Sequence, residues 1–117
     1  MQWWSLVHKS FGVPEQLLFA IPNGGYRNIV TAMKLKSEGV RSGIPDLMLA
    51  VPRNGKHGLF VEMKKSKGGR VSDSQHSVIA DLLDAGYAVT VCHGFEEARL
   101  RITHYLLDRS LSLDNHQ

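Results

Sequence analysis

Hydrophobic residues change their spacing several times along the chain, and each change predicts a new secondary-structure element. Stretches in which apolar residues recur three or four positions apart are typical of amphipathic helices. Short apolar runs bounded by Gly, Pro or Asn are typical of strands. The pattern predicts, in chain order, a helix over 1–11, a strand over 17–21, a helix over 26–38, strands over 46–51 and 59–64, a helix over 72–85, a strand over 88–93 and a helix over 96–107.

The two central strands are close enough in sequence to form a hairpin. Asn54-Gly55 lies in the segment that connects them, and both residues tolerate the positive φ angles of a tight hairpin turn. A hairpin followed by a helix, a strand and a further helix predicts an α/β fold with a small mixed β-sheet flanked by helices. The length of 117 residues fits a single domain, expected over 1–107 with a frayed tail over 108–117.

The hairpin register decides which side chains share a face of the sheet. The simplest register pairs Val51 with Leu59 and sets Asp46 opposite Lys64. Because side chains alternate between faces, Glu62 then lies on the same face as Asp46 and Lys64, and any register in which paired numbers have an even sum gives that result. The opposite face would be apolar, which supports an even register, and consists of Leu47, Leu49, Val51, Leu59, Val61 and Met63.

Two carboxylates on neighbouring strands repel each other. At about 5 Å and an effective dielectric constant of roughly 20, the repulsion is about 3 kcal/mol. Either one carboxyl keeps a proton or cations neutralise the pair, and Lys64 with a hard divalent ion such as Mg²⁺ would do so. Spacing alone leaves a structural alternative open, in which Asp46 and Lys64 form an ordinary cross-strand pair and Glu62 lies in solvent.

Charge is concentrated in the middle of the chain. The net charge is +3, but residues 27–70 contain ten basic and three acidic residues, a net of +7, whereas 71–117 contain three basic and seven acidic residues, a net of −4. A basic middle segment is expected of a protein that binds a polyanion such as nucleic acid. Basic loops that are merely solvated would give the same pattern.

The remaining composition excludes several classes of protein. No apolar run reaches the roughly 18 residues of a membrane helix, so no membrane association is expected. The N-terminus does not resemble a secretory leader, and the single Cys92 suits a reducing compartment, so we expect a cytoplasmic protein. Cys92 and His93 would point to opposite faces of a strand and cannot form a catalytic dyad.

Three sequence blocks resemble the VRR-NUC family of the PD-(D/E)XK nuclease superfamily. They are Gly-Ile-Pro-Asp at 43–46, Glu-Met-Lys at 62–64 and Gln75 at the start of the next helix. The similarity extends to FAIPNGGYRN near the start and LLDAGYAVTVCHGFEEAR towards the end, and covers 15–107. The resemblance is to standalone members from phages and bacteria, and it implies a restriction-endonuclease-like fold.

This resemblance implies a divalent-metal-dependent nuclease that hydrolyses phosphodiester bonds. Asp46 and Glu62 would ligate Mg²⁺ or Mn²⁺, and the Met63 carbonyl would complete the shell. Lys64 would act on the attacking water, and Gln75 would be an accessory active-site residue. Structured or branched DNA is the expected substrate, ahead of RNA, although the sequence itself leaves both open. The resemblance also implies a homodimer.

Two observations qualify these expectations. Ser72-x-x-Gln75 is also the pattern of a helix capping box, so Gln75 could have a structural role at the start of the helix. That role is compatible with a role in the active site. The family usually carries a metal-binding glutamate on its first helix, but residues 1–11 contain no acid and Glu15 follows Pro14. Either the chain starts downstream of that residue or the site is reduced. The alternative function is therefore a nucleic-acid-binding module with a vestigial metal site.

Basic residues beside the expected site are candidates for phosphate binding. Lys65, Lys67 and Arg70 follow Lys64 in a short Gly-containing loop. They could neutralise phosphates that flank the scissile bond, and binding would then weaken with salt. Arg27, after a Gly-rich turn, is a further candidate because its guanidinium can form paired hydrogen bonds to a phosphate.

Overall fold

A computed structural model describes residues 1–22 and 29–107, with all side chains in these ranges except those of 29–32. The helices and strands in them are α1 Gln2–Val7, β1 Leu18–Ala20, α2 Ile29–Ser37, β2 Leu47–Leu49, β3 Leu59–Lys64, α3 Asp73–Asp84, β4 Ala88–His93 and α4 Phe95–Leu106. Two 3₁₀ turns, His8–Phe11 and Glu15–Leu17, connect α1 to β1. None of the helices in the described ranges is long and apolar enough to cross a membrane.

The four strands form one sheet in the order β1-β2-β3-β4. The pairs β1–β2 and β2–β3 are antiparallel, whereas β4 is parallel to β3. Parallel neighbours need a crossover connection, and α3 provides it. The predicted α/β class with a small mixed sheet and flanking helices is confirmed.

The hairpin turn forms where the Asn-Gly pair predicts it. Asn54 has a φ of +53° and Gly55 a φ of +77°, the left-handed conformation that this turn requires. The flanking Arg53 and Lys56 exchange two backbone hydrogen bonds, of 2.8 and 3.2 Å. The central hairpin is therefore confirmed.

The predicted pairing of Val51 with Leu59 is wrong. Leu59 pairs with Leu49, and the paired numbers sum to 108 instead of 110. Extending this register by one residue sets Asp46 opposite Glu62, not opposite Lys64. Because the sum is still even, the two carboxylates and the ammonium share one face, as expected.

Contacts from outside the hairpin explain the shift. The numbers of the bridged Arg53 and Lys56 sum to 109, so one residue of the 50–52 segment is extra, as in a β-bulge. The Tyr105 hydroxyl donates a 2.6 Å hydrogen bond to the Val51 carbonyl, which draws this segment out of the ladder. A regular continuation of the two-residue turn would have given an odd sum and separated the site residues.

The apolar face of the sheet forms the hydrophobic core together with α1 and α4. Leu49 and Val61 are fully buried, as is Cys92 on β4. Trp4 of α1 is buried against them. Four α4 residues are buried on the side that faces the sheet, namely Ala98, Ile102, Tyr105 and Leu106. The apolar face predicted from the alternation is thus confirmed.

Candidate active site

Three segments meet where β3 ends: the loop before β2, the end of β3 itself and the first turn of α3. Gly43 has a φ of +86°, and a Cβ there would lie 2.6 Å from the Ser74 carbonyl oxygen. Only glycine fits both the positive φ and so close an approach of two backbones. The loop therefore lies directly against the start of α3, and its buried Pro45 leads into Asp46 beside β3.

The two predicted acids are neighbours, and one of them is buried. Glu62 is 4% exposed, and Asp46 Oδ2 accepts a 2.8 Å hydrogen bond from the Met63 amide. Burial raises the pKa of Glu62, the neighbouring Asp46 carboxylate raises it further, and the Lys64 ammonium opposes the shift only in part. The two carboxyl groups therefore lie where the charged form of Glu62 is disfavoured.

Lys64 and Gln75 both contact the buried carboxylate. Gln75 Nε2 donates to Glu62 Oε2 at 2.9 Å, and Lys64 Nζ lies 3.4 Å from the same oxygen. Lys64 Nζ also donates to Gln75 Oε1 at 2.7 Å. The three side chains thus form a closed set of hydrogen bonds and charge contacts around Oε2.

Gln75 also forms the capping box that its spacing from Ser72 predicts. Its side-chain Oε1 accepts a 2.9 Å hydrogen bond from the Ser72 backbone amide, and the Gln75 backbone amide donates to Ser72 Oγ at 3.2 Å. Because Oε1 accepts from both Ser72 and Lys64, Nε2 is the end of the amide that faces Glu62. The capping position and the site contact are therefore both present, and the cap orients the amide.

The chain matches the model of the VRR-NUC domain over residues 2–96. It belongs to the VRR-NUC domain family. A solved structure described as a VRR_NUC domain protein is 26% identical, with 86% of this chain and 85% of that chain covered and a TM-score of 0.69. A search of curated proteins finds no match. VRR-NUC domains are nuclease-type domains of the PD-(D/E)XK superfamily that act on nucleic acid, so the predicted family is confirmed.

The oxygen atoms at this VRR-NUC site fit a hard divalent cation. Glu62 Oε1 is buried and has no hydrogen-bond partner among the described residues, so one carboxylate oxygen is left for a ligand. The amide and carbonyl of a strand residue leave the strand on the same side. The Met63 carbonyl therefore faces the side on which Asp46 lies. Two carboxylates and a carbonyl suit Mg²⁺, which usually keeps several waters in its shell.

Helix α1 lacks the acid that the VRR-NUC pattern has on its first helix. The exposed Glu15 carboxylate lies 3.7 Å from His8 Nε2. Within residues 1–22 and 29–107, no three or more His, Cys, Asp or Glu side chains come together as a metal site. The donor set in this part of the chain is therefore the reduced one that the sequence allows.

The predicted phosphate-binding residues have different outcomes. Lys65, Lys67 and Arg70 are exposed in the loop that follows Lys64, next to the site. Arg27 lies outside the described residues.

His93 adjoins this site and was not predicted to do so. It is the β4 partner of Lys64 in the parallel register, so both side chains lie on the face that carries Glu62. The sequence contains only a weak signal for this position of His93. The predicted strands 59–64 and 88–93 are both six residues long, so a parallel pairing in full register sets their last residues opposite each other. The sequence does not reveal that these strands are neighbours, because a whole helix separates them.

Proposed function

We propose that the protein is a divalent-metal-dependent nuclease that hydrolyses phosphodiester bonds. The observation that carries this proposal is the buried Glu62, whose Oε1 has no partner in the described part of the chain while Asp46 lies beside it. Burying one carboxylate next to another disfavours ionisation, and such an arrangement is typical of a site built to receive a cation. Lys64 and Gln75 complete a set of groups suited to phosphoryl chemistry.

The side chains that would hold the metal follow from this arrangement. Asp46 and Glu62 would provide carboxylate oxygens, and Met63 its carbonyl oxygen. Bound there, Mg²⁺ or Mn²⁺ would polarise a phosphoryl oxygen and make a bound water more acidic.

Lys64 has the geometry to act on the reacting groups. An ammonium has three hydrogens, and here Nζ donates one to Gln75 Oε1 and lies 3.4 Å from Glu62 Oε2. A remaining hydrogen can orient a water or donate to a phosphate oxygen on which negative charge grows. The water oxygen would attack phosphorus and release a proton to solvent, the bond from phosphorus to the leaving sugar oxygen would break, and that oxygen would take up a proton from solvent.

Gln75 keeps this ammonium in place. Its amide is fixed at one end by the Ser72 cap and at the other by Glu62. Lys64 is therefore held at a defined position at the site, with its side chain 16% exposed. Such preorganisation avoids the cost of orienting a flexible lysine during the reaction.

The substrate we propose is structured or branched DNA, bound by a homodimer. The exposed Lys65, Lys67 and Arg70 beside the acids support an extended phosphate backbone as the ligand. The preference for DNA and the dimer rest on the family resemblance.

A cleavage assay tests the proposal. We expect labelled linear and branched DNA to be cut with Mg²⁺ or Mn²⁺ but not with EDTA, and Asp46→Asn to abolish cutting while DNA binding persists. Asp81→Asn, an exposed acid further along α3, is the matched control and should cut normally. The absence of metal-dependent cutting on every DNA and RNA substrate would contradict the proposal.

A second function is favoured by one observation. The described residues offer two acidic side chains at the site and no third His, Cys, Asp or Glu side chain beside them. A protein that binds nucleic acid through its basic loop but no longer cuts would show this pattern. Salt-sensitive binding by the wild type, unchanged in Asp46→Asn and without any cleavage, would identify it.

A further inference from the structure

The basic loop beside the site, residues 65–70, follows strand β3 and also contacts the end of strand β4. The Gly94 amide donates a 3.1 Å hydrogen bond to the Lys64 carbonyl, where the loop begins. Gly94 has a φ of +99°, and a Cβ there would lie 2.9 Å from Ser66 Oγ. The end of β4 and the first residues of the loop are thus in direct contact.

The His93 side chain makes the second contact, further along the loop. Its Nε2 lies 3.2 Å from the Gly69 carbonyl oxygen. A carbonyl has no proton to give, so Nε2 must be the protonated nitrogen and the donor. The His93 amide donates to Glu97 Oε1 at 3.1 Å, which fixes the backbone of His93 to the first turn of α4. His93 is therefore anchored on one side and holds the loop on the other.

The contact with Gly69 folds the loop back on its own start. A Cβ at Gly69 would lie 2.8 Å from Lys64 Cβ and 3.0 Å from the Lys65 amide nitrogen. Gly68, with a φ of +78°, makes the reversal possible. Two adjacent glycines also give an untethered loop many conformations, and ordering them costs conformational entropy. A tether at Gly69 limits this freedom between Lys67 and Arg70.

We propose that His93 is a positioning residue that fixes the basic loop at one end of the active site through the Gly69 carbonyl. The ligand of the positioned loop is the phosphodiester backbone that flanks the scissile bond, and this choice of ligand rests on the proposed nuclease function. His93 itself contacts neither substrate nor metal in this assignment. It brings Lys67 and Arg70 into a fixed relation with Lys64, so that phosphates and the reacting bond are bound together.

Two substitutions at one position separate the hydrogen bond from the shape of the ring. In His93→Gln, the side-chain amide nitrogen lies as many bonds from Cα as the imidazole Nε2, so the donor to Gly69 is kept. In His93→Leu, a side chain of similar bulk has no donor. His104→Leu is the matched control, because it removes a half-buried imidazole further along α4. Melting temperatures report whether each variant folds.

Hydrogen exchange tests the tether without reference to nucleic acid. We expect backbone amides of 65–70 to exchange at least several-fold faster in His93→Leu, but at the wild-type rate in His93→Gln and His104→Leu. Unchanged exchange of the loop in folded His93→Leu would overturn the proposal. If His93→Leu does not fold, Gly69→Ala displaces the same carbonyl by steric overlap with Lys64 and should give the same result.

Binding and kinetics test what the tether does. With fluorescently labelled DNA, the logarithm of the binding constant falls with the logarithm of salt concentration, by about 0.9 for each phosphate contact. We expect His93→Leu to reduce this slope by about 1–2 and to raise KM more than it lowers kcat, with rescue by His93→Gln. An unchanged slope, or a Gln variant as defective as Leu, would refute the assignment. A wild type that neither binds nor cuts would contradict the nuclease proposal, while loop exchange would still test the tether.

Discussion

The two faces of strand β3 are equally hidden from solvent and chemically opposite. Val61 is 0% exposed on the core face, and the adjacent Glu62 is 4% exposed on the other. Removing apolar surface from water stabilises the fold by roughly 25 cal/mol per Å². Burying Glu62 beside Asp46 disfavours its charged form and raises its pKa. Val61 thus contributes to the core, whereas Glu62 is buried at a cost to its charged form, so stability and activity should respond to different substitutions.

The largest effect is expected on the charged face. Lys64→Met removes the ammonium but keeps most of the apolar stem, and we expect kcat to fall about 10²–10³-fold, or about 3–4 kcal/mol in the barrier. Because Lys64 also contacts the buried Glu62 carboxylate, its loss should lower the melting temperature too, so cleavage is compared at a temperature at which both proteins are folded. Single-turnover cleavage with saturating enzyme measures the chemical step. Lys36→Met, at an exposed position of α2, should retain the wild-type rate; normal cleavage by Lys64→Met would remove this lysine from the chemistry.

The core face should show the reverse pattern. Leu49 is fully buried, and Leu49→Ala leaves a cavity that we expect to destabilise the protein by about 3 kcal/mol. Urea denaturation measures the change, and Leu100→Ala at an exposed α4 position should stay within about 0.5 kcal/mol of wild type. At a temperature where both remain folded, cleavage should differ by a few-fold at most. A large loss of cleavage without a loss of stability would show that the two faces do not act separately.

The sequence was enough to predict which face of the sheet each side chain lies on, but not which residue of the neighbouring strand it pairs with. Alternation along 46–51 and 59–64 is enough to put both carboxylates on one side, whatever the even register. The position of Asp46 opposite Glu62 reflects the extra residue near Val51, whose carbonyl accepts a hydrogen bond from Tyr105, 54 residues away along the chain. Local pattern carries no information on such a contact, so the simplest register was two residues in error.

The same distinction applies to the residues around Glu62. Gln75 was predicted from the family resemblance, and its position also follows from a local rule, because the capping box has a fixed spacing and brings its side-chain amide to the site. His93 could not be predicted, because its position next to Lys64 depends on the parallel pairing of β3 with β4 across a helical crossover. Residues that a local rule fixes were predictable, whereas those fixed by strand order were not.

The smallest effect concerns the pH dependence of stability. In the metal-free protein, the raised pKa of Glu62 means that the folded state holds this proton more tightly than the unfolded chain, for which the ordinary value is 4.5. Between these two pKa values the folded state binds more protons, so stability falls as pH rises through that window. Glu62→Gln does not titrate and should flatten the fall, with a gain of about 1 kcal/mol near neutral pH.

Melting temperatures of both proteins from pH 4 to 8 in EDTA measure this difference, and two additions make it decisive. Glu96→Gln is a control of opposite sign, because the hydrogen bond from Arg99 lowers the pKa of Glu96 and its contribution is gained as pH rises. Mg²⁺ should raise the melting temperature of the wild type near neutral pH and leave that of Glu62→Gln nearly unchanged, since a bound cation offsets the charge that the substitution removes.

One outcome would contradict this prediction: a metal-free wild type whose stability, relative to that of Glu62→Gln, increases from pH 5 to 8. It would mean that the buried carboxylate is already neutralised by the protein. In that case the contrast between the two faces of β3 would lie in side-chain polarity alone, and the need for a cation at Asp46 and Glu62 would disappear with it.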